Sequence, residues 1–195
     1  MLRYDVRQPS TYDDPTRADL SRETKQALVY AAIGHALARD RADRDHLSLF
    51  AEAMREVATT MLEPFGYGYE GIAPTTLEPE ACDAAGRRVP FDALPRAARH
   101  LLSFGVLPLR ALFAAYPRAE APRAQEGVIA IDDVEAHQDP AFLRHLVPTL
   151  RRALPNVQWI LATASTHLAL AADAGDVVVL RREGTHVEAS EEVLQ

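Results

Sequence analysis

Residues 127–163 read GVIAIDDVEAHQDPAFLRHLVPTLRRALPNVQWILAT, and this stretch decides the fold. It opens with GVIAID (127–132), a short apolar run with β-branched residues that ends in acids, the pattern of a buried strand. PAFLRHLVPTLRRAL (140–154) is amphipathic and begins with proline, which suits a first helical turn. VQWILAT (157–163) is a second apolar run. Further on, THLALAADA (166–174) predicts a short helix, DVVVLRR (176–182) a third strand, and GTHVEA (184–189) a return strand paired with it. Strand–helix–strand–helix–strand implies parallel strands joined by right-handed crossovers. Runs with so little alternation predict a sheet covered on both faces, with Ile129, Ile131, Trp159 and Leu161 in the core.

Upstream the pattern is helical. Residues 1–18 are polar, hold Pro9 and Pro15, and read as an arm or linker. Asp19 is placed to cap a helix reaching about Arg39, with Leu20, Ala27, Leu28, Ala31 and Leu37 on one side. RDRADRD (39–45) reads as a charged break. A second helix runs from about Arg44 to Glu63, with Leu47, Phe50, Met54, Val57 and Met61 at alternating spacings of three and four. Residues 64–93 are rich in glycine and proline and predict short strands or an ordered loop, GYGYEGI (66–72) above all. A helix starting near Leu94 carries Leu101, Leu102 and Phe104, and Pro108 predicts a break or kink in it. PRAEAPRAQEG (117–127) reads as a surface connector.

Composition bounds the function. The 195 residues carry 21 basic and 28 acidic side chains, a formal charge of −7, which argues against direct binding of nucleic acid. One cysteine, Cys82, excludes an internal disulfide and a cysteine-rich zinc site. No apolar run approaches the roughly 18 residues of a membrane span, and the N-terminus lacks the apolar stretch of a signal peptide, so a soluble, cytoplasmic protein is expected. Lys25 is the single lysine. Its surroundings, SRETKQ, hold no glycine, so the phosphate-binding loop GxxxxGK[ST] has no place in this sequence.

Asp132 and Asp133 end the first strand at the carboxyl edge of a parallel sheet, where α/β folds bind ligands. The first carboxylate is suited to hold magnesium and the second to orient an attacking water. Acids that merely end a strand and cap a turn give the same string.

IAIDDVEAHQDP resembles the Walker B and D-loop region of ABC-type ATPases, in particular bacterial ATPases related to the structural-maintenance-of-chromosomes (SMC) and DNA-repair branch. By that resemblance Asp132 takes the magnesium-aspartate position, Asp133 the catalytic-glutamate position and Asp139 the D-loop acid. PNVQWILATAST (155–166) is similar to the following strand and its Thr-His-Ser-Pro end. FDALPRAARHLLSF (91–104) is similar to the signature segment, Leu-Ser-x-Gly before a helix. The resemblance spans about Thr24 to Arg182 and is strong in order and spacing from Phe91 onward. The departures are specific. Pro95 replaces the signature serine and Ala97 its glycine, which weakens a backbone approach to phosphate. Ala164 stands at the switch histidine, and Asp133 is one methylene shorter than glutamate.

The resemblance implies an α/β fold with a parallel-sheet layer of ABC-ATPase type and an N-terminal helical subdomain. Residues 1–18 form the arm, 19–126 the helical and signature-like part, and 127–195 the Walker-B-like lobe, the last two as one compact unit. It implies a non-catalytic regulatory or scaffold protein, a pseudo-ATPase without cofactor in isolation. The other implied reading is a magnesium-dependent ATPase subunit or fragment whose phosphate loop comes from another polypeptide or a missing N-terminal region, with Mg and ATP bound between lobes. A protein partner or homodimer is expected on the surface Asp92–Arg99 with Ala136–Pro140, Ala98 being taken as accessible there.

The remaining candidates carry less. His137 lies between Asp133 and Asp139, a spacing open to a shared cation or to a plain loop histidine. His167 follows Thr163 and Ser165 at a strand end, as a substitute switch histidine or a helix-start residue. No GxSxG accompanies Ser103. Cys82 reads as a loop residue. Arg151 and Arg152 suit a helix C-terminus without any ligand.

Overall fold

The computed structural model describes residues 20–190. The two helices expected first are α1 (Ser21–Leu37) and α2 (Arg41–Leu62), packed as a hairpin. Leu20 precedes α1 without a side-chain cap, and the expected cap Asp19 lies outside the described residues. The charged break is shorter than predicted. Asp40 caps α2 by accepting the Asp43 N–H at 2.8 Å, so residues 41–45 join the helix. Phe50, Met54, Val57 and Met61 are buried and Leu47 is half-buried. On α1 the predicted stripe holds at Ala27, Leu28 and Ala31, but Leu37 is 67% exposed because it sits in the last turn, past the end of the packing.

Residues 67–90 form an antiparallel sheet of β1 (Tyr67–Ile72), β2 (Pro79–Asp83) and β3 (Arg88–Pro90). The Asp83 carboxylate closes the β2–β3 turn by accepting the N–H groups of Ala85 and Arg87, both at 2.9 Å. These bonds, Arg87 foremost, hold its carboxyl below the ordinary range. Cys82 belongs to β2, half-buried beside Gly68, rather than to a loop.

α3 (Arg96–Ala115) passes through Pro108 without interruption, contrary to the predicted break. Proline removes one backbone bond and costs about 3 kcal/mol in a helix interior. Phe104, Leu109 and Leu112 flank it fully buried, and each contributes about 1.5–3 kcal/mol on burial, so packing wins. After α3, the connector is tied down by Arg123, which donates to the carbonyls of Ala153 and Arg152 at 2.8 Å and pairs with Glu56.

The C-terminal part holds β4 (Gly127–Ile131), α4 (Pro140–Ala153), β5 (Val157–Leu161), α5 (Thr166–Ala171), β6 (Val179–Glu183) and β7 (His186–Ser190). β4 and β5 pair in parallel, Gly127 opposite Val157 through Ile131 opposite Leu161. Two expectations fail here. The third strand does not join this sheet; among the described residues β6 pairs with β7 alone, antiparallel, across the two-residue turn Gly184–Thr185. Gly184 has φ of +61°, the left-handed geometry such turns need, so β6 finds its partner locally. Nor, among the described residues, is the sheet covered on both faces. Ile129, Ile131 and Val157 are buried, and Trp159 and Leu161 pack partly against the core, but Gln158 is exposed and Ile160 is 48% exposed on the other side. One buried cluster draws on α1, α2, α3, β4, α4 and β5, and no described residue after Leu168 belongs to it.

Candidate functional site

The site is built at the carboxyl end of β4. Ile131 is buried and fixes the strand end, while Asp132 is half-exposed and Asp133 exposed. The chain then turns sharply, with Asp133 at φ of +49° and His137 at +65°. Val134, fully buried, pins this turn, and its N–H donates to Ala162 C=O at 3.3 Å. The Ala162 N–H donates in turn to Ile131 C=O at 2.8 Å, so the loops after β4 and β5 are laced together. Asp132 Oδ1 accepts the Asp133 N–H at 3.0 Å.

Glu135 also bridges the two loops. Its carboxylate accepts Thr163 Oγ1 at 2.6 Å and the Ala164 N–H at 2.8 Å. The position resembling the switch histidine is therefore bound to a carboxylate of the same chain. Sequence reasoning missed Glu135 and the role of Thr163, because the bond joins loops 28 and 29 residues apart and no local spacing signals it.

The D-loop-like turn docks on the start of α3. Gln138 Nε2 donates to Ala97 C=O at 3.3 Å, and the His137 ring meets His100 edge-on at 5.1 Å. His100 is 7% exposed and also packs against Phe104 at 4.6 Å. The structure thus brings together the two stretches 92–99 and 136–140. It corrects one member: Ala98 is 0% exposed and part of the core, so it presents nothing to a partner. Pro95 is the exposed residue preceding α3, and Ala97 is half-buried. Asp139 is the N-cap of α4, its carboxylate accepting the Ala141 N–H at 2.7 Å. His167 is exposed in the first turn of α5.

The donor set limits what this edge binds. Among the described residues no group of three or more His, Cys, Asp or Glu side chains is placed to hold a metal ion, so His137 does not converge with Asp133 and Asp139 on one cation. Asp132 offers a single carboxylate, which suits magnesium only when phosphate oxygens and water complete its octahedron. Glu135 and Asp139 are already engaged with N–H and O–H donors. Lys25 Nζ is held between Asp92 Oδ2 at 2.6 Å and Glu78 Oε2 at 3.0 Å. Partial burial works against its charge, but the bonds to Asp92 and Glu78 keep its pKa above the ordinary value. Among the described residues this donor set does not cradle a triphosphate by itself. Among the arginines, Arg151 bonds Asp176, Arg152 bonds Glu63, Arg87 bonds Asp83, and Arg88 lies 3.7 Å from Glu70 and Glu80.

No family model matches the chain. Similar solved structures include SMC ATPases and SMC heads. One is an SMC ATPase described by its ATP-driven dimerization and DNA-stimulated activation (16% identity, TM-score 0.47, covering 73% of this chain and 87% of that one). A second is an SMC head bound to the C-terminal winged-helix domain of ScpA (15% identity, TM-score 0.49, 73% of this chain and 42% of that one). A third is an SMC head with an extended coiled coil, bound to the C-terminal domain of ScpA derived from Pyrococcus furiosus (13% identity, TM-score 0.48). This chain spans about half the length of that third structure, 55%, while 95% of its own residues are covered.

Proposed function

We propose that this chain is a non-catalytic ABC-ATPase-like protein that acts as a regulatory or scaffold subunit through protein contacts. The observation that carries the reading is the fate of its one lysine: Lys25 is committed to Asp92 and Glu78 instead of standing in a glycine-rich loop. Without such a loop, several backbone N–H groups and a lysine are missing from the phosphates. Pro95, Ala97 and Ala164, at the positions resembling the signature and switch residues, support the same conclusion. In this reading the protein partner meets the exposed residues around Pro95 and Arg96 together with His137 and Pro140. The chain works in the bacterial cytoplasm, and the Walker-B-like lobe from residue 127 serves as a rigid support. Among the described residues no helix is long and apolar enough to cross a membrane.

Calorimetric titration with ATP and magnesium tests this. The isolated chain is expected to give no binding in the micromolar range. Micromolar affinity that disappears in Asp132→Asn would overturn the reading.

A second reading is favoured by the open face of β4–β5. Another polypeptide, or a preceding region, would supply the phosphate loop of a composite magnesium-dependent ATPase, in which Asp132 would hold the metal and Asp133 would orient the attacking water. Its mark is ATP hydrolysis that appears only on mixing with such a lobe and is lost in Asp132→Asn.

A further inference from the structure

We propose that Glu135 is a positioning residue that works as a latch, coupling the loop after β5 to the start of α3 through the turn between β4 and α4. Closed, it holds residues 135–138 in a strained turn docked on α3; opened, these residues swing about Val134 and leave α3. The inference concerns the shape of this surface and stands apart from what the surface binds.

Local preference alone does not hold the turn. Asp133 and His137 sit at φ of +49° and +65°. That region is disfavoured for residues with a Cβ and persists where surrounding contacts enforce it. The bonds inside the turn are short-range: the Ala136 N–H donates to Asp133 C=O at 2.8 Å and the Gln138 N–H to Glu135 C=O at 2.9 Å. Val134, fully buried, ties the turn to the core. Beyond it the polar contacts face two different elements. Glu135 reaches the loop after β5. Gln138 Nε2 reaches Ala97 C=O in the first turn of α3 at 3.3 Å, beside the edge-on contact of His137 with His100.

The two polar anchors differ in kind. The Gln138 bond joins neutral groups at the long end of the N–H···O range. The Glu135 carboxylate accepts two bonds at 2.6 and 2.8 Å, and charge assistance makes such bonds roughly twice as strong as neutral ones. Glu135 therefore sets the turn and Gln138 follows. Thr163 Oγ1 also accepts the Ser165 N–H at 2.9 Å, which carries the connection to the residue preceding α5. Burial does not lock the latch, since Glu135 is half-buried and Thr163 and Ala164 are exposed, so water competes for these bonds. A carboxylate clasp at the surface, over a strained turn pivoting on a buried valine, has two states: clasped, or relaxed and hydrated.

Amide hydrogen exchange and side-chain amide chemical shifts, read by NMR on the full chain, test the proposal. The Val57 amide in α2 reports the global fold and serves as the reference. Relative to it, the Gln138 N–H is expected to exchange about tenfold faster or more in Glu135→Ala, with the Gln138 side-chain resonances moving to those of a solvated glutamine. Glu135→Gln is expected to recover most of this protection, because its amide accepts the Ala164 N–H and donates to the Thr163 hydroxyl oxygen. Thr163→Val, in the other loop and at an exposed site, is expected to speed Gln138 exchange about threefold or more, and to add nothing to Glu135→Ala. It also keeps the test decisive should Glu135→Ala disturb the fold. Gln138 signals indifferent to Glu135→Ala or to Thr163→Val, a Glu135→Gln protein no better protected than Glu135→Ala, or equal effects of Thr163→Val in both backgrounds overturn the proposal.

Discussion

Gly105→Ala probes the closest approach in the core, where α3 crosses α2. A Cβ at position 105 falls 2.7 Å from Val57 Cγ1 and from Met61 Cε, and 2.8 Å from Met61 Cγ. Unstrained carbon pairs sit about 3.5–4.0 Å apart, so all three contacts are repulsive. Met61 Cε, at the end of a flexible side chain, moves cheaply. Val57 Cγ1 does not, because a β-branched residue in a helix has essentially one rotamer. Val57 and Met61 are also fully buried, with no free space to enter. Relief therefore requires the helices to separate, at the roughly 1–3 kcal/mol typical of an overpacked core. Helix propensity acts in the opposite direction, since alanine is better than glycine by about 1 kcal/mol in a helix interior. The net expectation is a loss of up to about 2 kcal/mol in urea unfolding. On a Val57→Ala background the same change is expected to cost at least about 0.5 kcal/mol less, since one clash is gone. A Gly105→Ala protein stabilised by the full propensity gain would refute the close approach of α2 and α3.

Two further outcomes follow from burial. Ile131→Ala, at a side chain 1% exposed at the end of β4, is expected to cost about 2–5 kcal/mol in denaturant unfolding; a loss below about 0.5 kcal/mol would mean that β4 is not core. Burial raises the Tyr69 phenol to about 12, with the nearby Arg55 charge pulling the other way. Its folded-state pKa lies above the unfolded value, so its contribution is complete below about pH 10 and is lost as pH rises through about 12. Absorbance titration is expected to show one phenol lagging the rest, and Tyr69→Phe removes that late step.

The sequence by itself determined the order and kind of the elements, because periodicity is a local property. The α2 stripe, the strand GVIAI, the proline-led helix from Pro140 and the hairpin around Gly184 all follow from side chains within a few residues of one another. Pro108 was misleading because the helix-breaking tendency is local while the burial of Phe104, Leu109 and Leu112 is not. The sequence also placed Asp132 and Asp133 at the carboxyl end of β4, since strand direction suffices for that. Tertiary structure alone decided what those residues touch. The Glu135 bonds to Thr163 and Ala164, the Gln138 bond to Ala97 and the ion pairs of Lys25 join segments distant in sequence. Burial of Ala98 depends on which side of α3 faces the core, and exposure of Ile160 on which side of the sheet has a neighbour. An apolar run announces a strand, but whether one face or two are covered depends on packing partners that the run itself does not encode.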